Sequence, residues 1–184
     1  LKIITPTAED EKLINEAAVI LFEGFQELWP NTYPDIETAR QGIEKILAPD
    51  WICRVALDNE GQVVGLIGAV REYDGNAWCL YPLAVRLDSW GRGVGRALVE
   101  DVERLVKERG ATTIYLGTDD TAGMTTLGNV DLYPNVYEHI ANVKNLRRHP
   151  YEFYQKLGYT IVGVIPDANG IGKPDIFMSK RLVP

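Results

Sequence analysis

The sequence predicts a mixed α/β fold, a single domain over residues 1–184 built on a central, mostly antiparallel sheet with flanking helices. Three observations carry this expectation. Segments of strand and helix character follow one another as strand, two helices, three strands, helix, strand, helix, strand, strand. The three central strands are joined by turns far too short for a crossover helix, so they pair antiparallel. No repeat, low-complexity tract or interdomain linker interrupts the 184 residues.

Leu1–Thr5 reads as a short strand. Thr7, with Asp10 three residues on, is a capping-box-like helix start. Ile14, Ala17, Ala18, Leu21, Phe22, Phe25 and Leu28 follow at helical spacing, and Trp29-Pro30 ends that helix. A second helix is expected from Asp35 to about Leu47, before Pro49. Trp51–Asp58, Gln62–Tyr73 and Asn76–Arg86 form a meander, with turns at Asn59-Glu60-Gly61 and Asp74-Gly75. A glycine-rich turn, Ser89-Trp90-Gly91-Arg92-Gly93-Val94-Gly95, opens a strong amphipathic helix that stops at Gly110. Its apolar face is Val94, Leu98, Val102, Leu105 and Val106. Thr112–Gly117 is a strand. The loop Thr118–Asp131 is long for a compact domain, which points to function. Tyr137–Asn145 and Tyr151–Leu157 read as helices, the second capped by Gly158. Thr160–Ile165 and Ile176–Arg181 are the last two strands.

Composition narrows the function classes. The net charge of −7 argues against a nucleic-acid partner. It suits a small cationic substrate, and equally an acidic surface that only keeps the chain in solution. Leu1–Asp10 lacks a basic region followed by an apolar stretch, and no apolar run is long enough to span a bilayer. A cytoplasmic location without membrane contact is therefore expected. Cys53 and Cys79 lie in apolar strand-like runs and read as reduced thiols. His139 and His149 are isolated, no Cys/His spacing fits zinc, and no metal is expected. His149, before Pro150, reads as a cap for the helix that follows.

The chemistry concentrates at Arg92-Gly93-Val94-Gly95. A helix N-terminus presents unpaired N–H groups and partial positive charge, glycines let a phosphate come close, and Arg92 and Arg96 add full charges. Such a turn can cradle a pyrophosphate, or can simply be a tight turn. A P-loop would need Gly-Lys-Ser/Thr, which is absent. A dinucleotide fingerprint can be drawn through Gly91, Gly93 and Gly95, with Asp119 after the next strand. That drawing places Arg96 at the third glycine position and follows a meander instead of a first parallel strand.

A strand ending Leu83-Ala84-Val85, then this turn and an amphipathic helix, resembles the coenzyme A motif of the GNAT superfamily of N-acetyltransferases. Trp90 stands where that pattern usually has Gln or Arg, while Gly93 and Gly95 match. The segments Thr113–Asp120 and Asn145–Tyr159 look like one branch of the aminoglycoside 6′-N-acetyltransferases, as do Ile161–Val164, Asn169-Gly170 and Lys173–Ile176. Leu28-Trp29-Pro30, Tyr33, Tyr73, Trp78 and Pro82 extend the likeness over nearly the whole chain.

The resemblance implies a GNAT fold with a splayed strand pair, a homodimer, and acetyl transfer from acetyl-CoA to a primary amine by direct attack. The acceptor it implies is the 6′-amine of an aminoglycoside. It assigns the pyrophosphate to the turn Trp90, Gly91, Arg92, Gly93, Val94, Gly95 and Arg96. It assigns the pantetheine arm to Leu83, Ala84 and Val85, and the acid that protonates the leaving thiolate to Tyr154. For a polycationic acceptor the acidic candidates are Asp119, Asp120 and Glu138, and the aromatic ones Trp29 and Tyr73. Related enzymes carry Glu and His where this chain has Cys79 and Tyr81. The amine proton then goes to another acid such as Glu72, or to a water chain, or the acceptor differs. Polyamine-like amines and a catalytically silent coenzyme-A-binding domain remain open alternatives, as does Cys79 as a nucleophile.

Overall fold

A computed structural model describes residues 1–183. It divides into two compact units, one running from Leu1 to Ile114 and rejoined by Leu182 and Val183, the other from Tyr115 to Arg181.

In the first unit, strands β1 (Lys2–Ile4), β2 (Trp51–Leu57), β3 (Val63–Glu72) and β4 (Ala77–Val85) lie in that order. Each is antiparallel to its neighbour, as turns of a few residues dictate for β2, β3 and β4. Helix α1 spans Glu11–Gln26 and α2 spans Ile36–Ile46. Their small and branched faces, Ala17, Ala18 and Leu21 against Ala39, Ile43 and Ile46, close a core with Cys53, Val55 and Leu66. Burial of this kind contributes roughly 25 cal/mol per Å² of apolar surface.

Asp35 caps α2 by accepting from the Thr38 amide at 2.7 Å. The start of α1 differs from the sequence expectation. The Thr7 amide and hydroxyl both donate to Asp10 Oδ2, at 2.7 and 3.1 Å, so this pair closes a turn ahead of the helix. The helix itself begins at Glu11, with the Asp10 carbonyl accepting from the Ile14 amide.

Helix α3 (Val94–Glu108) packs Val94, Leu98, Val102 and Val106 inward. Arg54 ties three elements together: Nε donates to Asp101 Oδ2 on α3 at 2.6 Å, Nη1 to Thr5 Oγ1 and Nη2 to the Ile3 carbonyl. The β3–β4 pairing slips between Ile67 and Ala69, leaving Gly68 against Tyr81 and Pro82. A side chain at position 68 would begin 2.5 Å from the Tyr81 carbonyl oxygen, so only glycine permits this bulge.

The second unit carries β5 (Thr113–Asp119) from Tyr115 onward, α4 (Val136–Ala141), α5 (Tyr151–Gln155), β6 (Thr160–Ile165) and β7 (Asp175–Arg181). Its strand order is β5-β7-β6, and β6 and β7 are antiparallel. Helix α4 is shorter than the expected Tyr137–Asn145. Lys144 leaves the helix to exchange hydrogen bonds with Thr126, and Asn145 bridges Thr125. The long loop after β5 is thereby held in place, with Leu127 and Leu132 buried beneath it.

Candidate active site

The glycine turn of the first unit has the geometry that anion binding requires. Gly91 and Gly93 have φ of 74° and 83°, in the left-handed region that glycine enters without strain, and nothing lies within 4 Å of where their side chains would be. Gly93 is the N-cap of α3 and supplies no side-chain cap. The amides of Val94, Gly95 and Arg96 therefore have no partner within the helix and open onto exposed backbone. Arg92 and Arg96 are exposed beside them, and Arg96 is paired loosely with Glu100 at 3.4 Å. Free amides, an open approach and two guanidinium groups fit the pyrophosphate of coenzyme A.

Trp90 is tied to the strand that feeds the turn. Its indole N–H donates to the Val85 carbonyl at 2.7 Å, which closes the turn on its own strand. The ring remains 61% exposed. The Val85 carbonyl, on the strand that the resemblance assigns to pantetheine, accepts this bond from Trp90. Arg86 donates its amide to Val64 on β3, so by alternation Ala84 faces β3 while Leu83 and Val85 turn their backbone groups away from it.

Upstream on β4, Cys79 and Tyr81 share one face of the sheet, while Trp78 and Leu80 are buried on the other. Glu72 is paired with Ala77 and Val70 with Cys79, so Glu72 is a diagonal neighbour of Cys79 on that face, about 7–8 Å away. Tyr81 meets a residue that no sequence argument singles out as functional: its phenol oxygen is 3.1 Å from that of Tyr33. Tyr33 packs edge-on against Phe25 at 5.1 Å, and Phe25 lies 5.6 Å from Trp29. Trp29 and Tyr81 thus belong to one aromatic cluster. Tyr73 does not. It is 73% exposed at the hairpin tip, beyond the Glu72–Ala77 pair that itself lies four β4 residues or about 13 Å along the strand from Tyr81.

In the second unit, Tyr154 is 8% exposed and packs between Phe153 and Tyr159, with ring centroids at 5.0 and 5.6 Å. Burial raises its phenol above the usual tyrosine range, so it stays protonated at neutral pH.

The two aspartates at the end of β5 have different fates. Asp120 is fully buried, and its carboxylate accepts from the Met124 amide, the Thr125 amide and Thr125 Oγ1 at 2.6–2.8 Å. It braces the loop from a fully buried position. Asp119 is half-buried, with one carboxylate oxygen bonded to Asn169 and its backbone carbonyl 3.1 Å from His149 Nε2. His149 Nδ1 accepts from the Tyr151 amide, so the ring is neutral with its proton on Nε2. It caps the start of α5 as the sequence suggests, and Asn145 brackets its backbone on both sides.

Asp175 on β7 completes this group. Burial, with the negative charge of Asp119 added, pushes its carboxyl up to about 6, and its Oδ1 is buried without a partner. Nothing in the local sequence marks it, because the pairing arises only when β7 docks beside β5. Glu138 is exposed on α4 and lines a cavity of about 320 Å³ with Thr126, Asn135, His139 and Asn142. Cys53 is buried and its thiol is raised to about 12, which leaves it inert; Cys79 is partly exposed, and neither is in a disulfide. Among the described residues no cluster of His, Cys, Asp or Glu could hold a metal, and no helix is long and apolar enough to cross a membrane.

Residues 16–127 match the model of the Acetyltransferase (GNAT) family. Among solved structures, an aminoglycoside 6′-N-acetyltransferase complexed with coenzyme A is 40% identical, with a TM-score of 0.90, over 100% of this chain and 98% of that one. The aminoglycoside 6′-N-acetyltransferase from Enterococcus faecium is 38% identical, with a TM-score of 0.89, at the same coverage. An aminoglycoside 6′-acetyltransferase type Ii is 33% identical, with a TM-score of 0.75, over 100% of this chain and 99% of that one. No curated protein matches the chain. The open glycine turn at α3, the strand that feeds it and these full-length likenesses agree: the chain belongs to the GNAT family of acetyltransferases and has its α/β fold.

Proposed function

We propose that the protein transfers the acetyl group of acetyl-CoA to the 6′-amine of an aminoglycoside. The observation that carries this reading is the likeness to aminoglycoside 6′-N-acetyltransferases from end to end, at up to 40% identity. The uncapped amides of α3, with Arg92 and Arg96, hold the pyrophosphate, and the backbone of Leu83 and the Val85 amide, which face away from β3, orient the pantetheine. The neutral amine attacks the thioester carbonyl, a C–N bond forms, and the C–S bond breaks. Tyr154 delivers its phenolic proton to the departing thiolate and recovers one from the acetylated nitrogen or solvent. Glu72, on the face that carries Cys79 and Tyr81, takes the proton of the incoming ammonium. Asp119 and Glu138 supply negative charge for the remaining ammonium groups, and Trp29 and Tyr73 supply aromatic faces. The protein acts as one domain, in the cytoplasm and as a homodimer. Two cysteines outside any disulfide support a reducing compartment, and the family resemblance supports the dimer.

A second reading keeps the reaction and changes the acceptor to a polyamine-like cation. It is raised by Cys79 and Tyr81, which stand where related aminoglycoside enzymes carry Glu and His. Thiol release from acetyl-CoA, measured with kanamycin, a 6′-hydroxyl aminoglycoside, spermidine and lysine, separates the two. Turnover of kanamycin without the 6′-hydroxyl compound supports 6′-N-acetylation. Turnover of spermidine alone replaces it with the second reading. Coenzyme binding without turnover of any of the four amines points to another acceptor or to a silent binding domain.

A further inference from the structure

We propose that Tyr33 and Tyr81 form a paired-phenol element that reads a ring hydroxyl of the acceptor sugar beside the reacting amine. The inference rests on the aminoglycoside reading above. It starts from the 3.1 Å contact between the two phenol oxygens. Two hydroxyl groups share one hydrogen bond, so one proton lies between them and the other points elsewhere.

Burial decides which is which. Tyr33 is 6% exposed, and its hydroxyl has no other partner among the described residues; Tyr81 is 42% exposed. Were Tyr81 the donor, the Tyr33 proton would be buried without an acceptor, which is the costlier arrangement. Tyr33 therefore donates, and the Tyr81 proton is directed outward.

Both rings are held. Tyr33 packs edge-on against Phe25, and its carbonyl accepts from Gln26 Nε2 at 3.0 Å. Tyr81 is set by the bulge opposite Gly68. The result is an oriented O–H donor with no acceptor among the described residues. The indole N–H of Trp29, in the same aromatic cluster, is likewise buried without a partner. The unmet needs of this cluster are all for acceptor atoms. An ammonium group, which only donates, cannot accept from the outward Tyr81 O–H, whereas a neutral hydroxyl oxygen can. On this face the protein selects its acceptor through oxygen, and Tyr81 is a specificity-determining residue that Tyr33 orients.

The test compares kanamycin B with its 3′,4′-dideoxy derivative, which keeps the 6′-amine and lacks the two neighbouring hydroxyls. In the wild-type protein KM is expected to be lower for kanamycin B. Tyr81→Phe should raise KM for kanamycin B roughly 3- to 10-fold, the worth of one neutral hydrogen bond, and leave the dideoxy compound unchanged. The KM for acetyl-CoA and the thermal midpoint should not move. Tyr33→Phe should shift KM in the same direction by less, and add nothing to Tyr81→Phe in the double variant. An equal KM rise on both sugars, or none on either, overturns the inference while the aminoglycoside reading stands. If the wild-type protein acetylates neither sugar, the aminoglycoside reading falls first and this inference falls with it.

Discussion

His149 joins the end of β5 to the start of α5, donating from Nε2 to the Asp119 carbonyl at 3.1 Å and accepting at Nδ1 from the Tyr151 amide at 3.2 Å. Protonation would turn Nδ1 into a donor facing another donor. Desolvation holds the imidazole below its ordinary value of 6.5, against the opposing pull of the Asp119 carbonyl and the Asp120 and Asp119 charges. The unfolded chain therefore binds this proton more readily than the folded one. The stabilising contribution is complete above about pH 6.5 and is lost as pH falls through the lower folded value. His149→Asn should flatten the acid side of a plot of thermal midpoint against pH between 7 and 5. An unchanged slope would show that His149 is not the group responsible.

Asp175 works in the opposite sense. Its carboxyl is raised from 3.8 to about 6, so the folded chain holds the proton longer than the unfolded one. Stability from this group is greatest below about pH 4 and declines as pH rises to 6. Asp175→Asn removes the buried charge and should raise the thermal midpoint at pH 8, with the gain vanishing near pH 4. A variant less stable than wild type at pH 8 would mean that Oδ1 has a compensating partner in solution.

Tyr154→Phe deletes one oxygen from a ring whose packing lies against Phe153 and Tyr159. General acid catalysis contributes ~100-fold or more, so kcat should fall by about that factor, with little change in the KM for acetyl-CoA or in the thermal midpoint. Turnover within about twofold of wild type would remove the acid role from this residue.

Gly93→Ala separates the fold from the cradle. At φ of 83° a side chain costs about 1–2 kcal/mol of backbone strain. Because nothing lies within 4 Å, no clash adds to it. The thermal midpoint should drop by only a few degrees. The new methyl stands at the open N-terminus of α3, so the KM for acetyl-CoA should rise by a larger factor than stability alone explains. Calorimetric titration with coenzyme A reads this directly, and unchanged affinity would move the pyrophosphate elsewhere.

What could be read from sequence follows from the range of the forces involved. Helices α1 to α3 and the meander declare themselves because apolar periodicity and turn chemistry are local. The turn at Gly91–Gly95 is legible for the same reason, since glycine at a helix start is a backbone signal. The partners of side chains are not local. Tyr33 and Tyr81 are 48 positions apart, and Asp119 and Asn169 are 50 apart, so no spacing rule connects them. Asp119 and Asp120 look equivalent in sequence, yet strand alternation sends one carboxylate into the loop core and leaves the other half-buried. Helix α4 ends early because Lys144 and Asn145 find better partners in Thr126 and Thr125 than a further helical turn would give.

The bulge at Gly68 also has a meaning for changing what the protein accepts. A hydrogen atom is all that fits between β3 and the Tyr81 carbonyl, and a one-residue slip there would turn the face bearing Cys79 and Tyr81 away from its present side. The backbone is rigid at that point while the two side chains it displays are free to vary. A combinatorial library that randomises positions 79 and 81 and holds Gly68 fixed should therefore yield folded variants with redirected acceptor preference. The same diversity placed at position 68 should yield mostly insoluble protein.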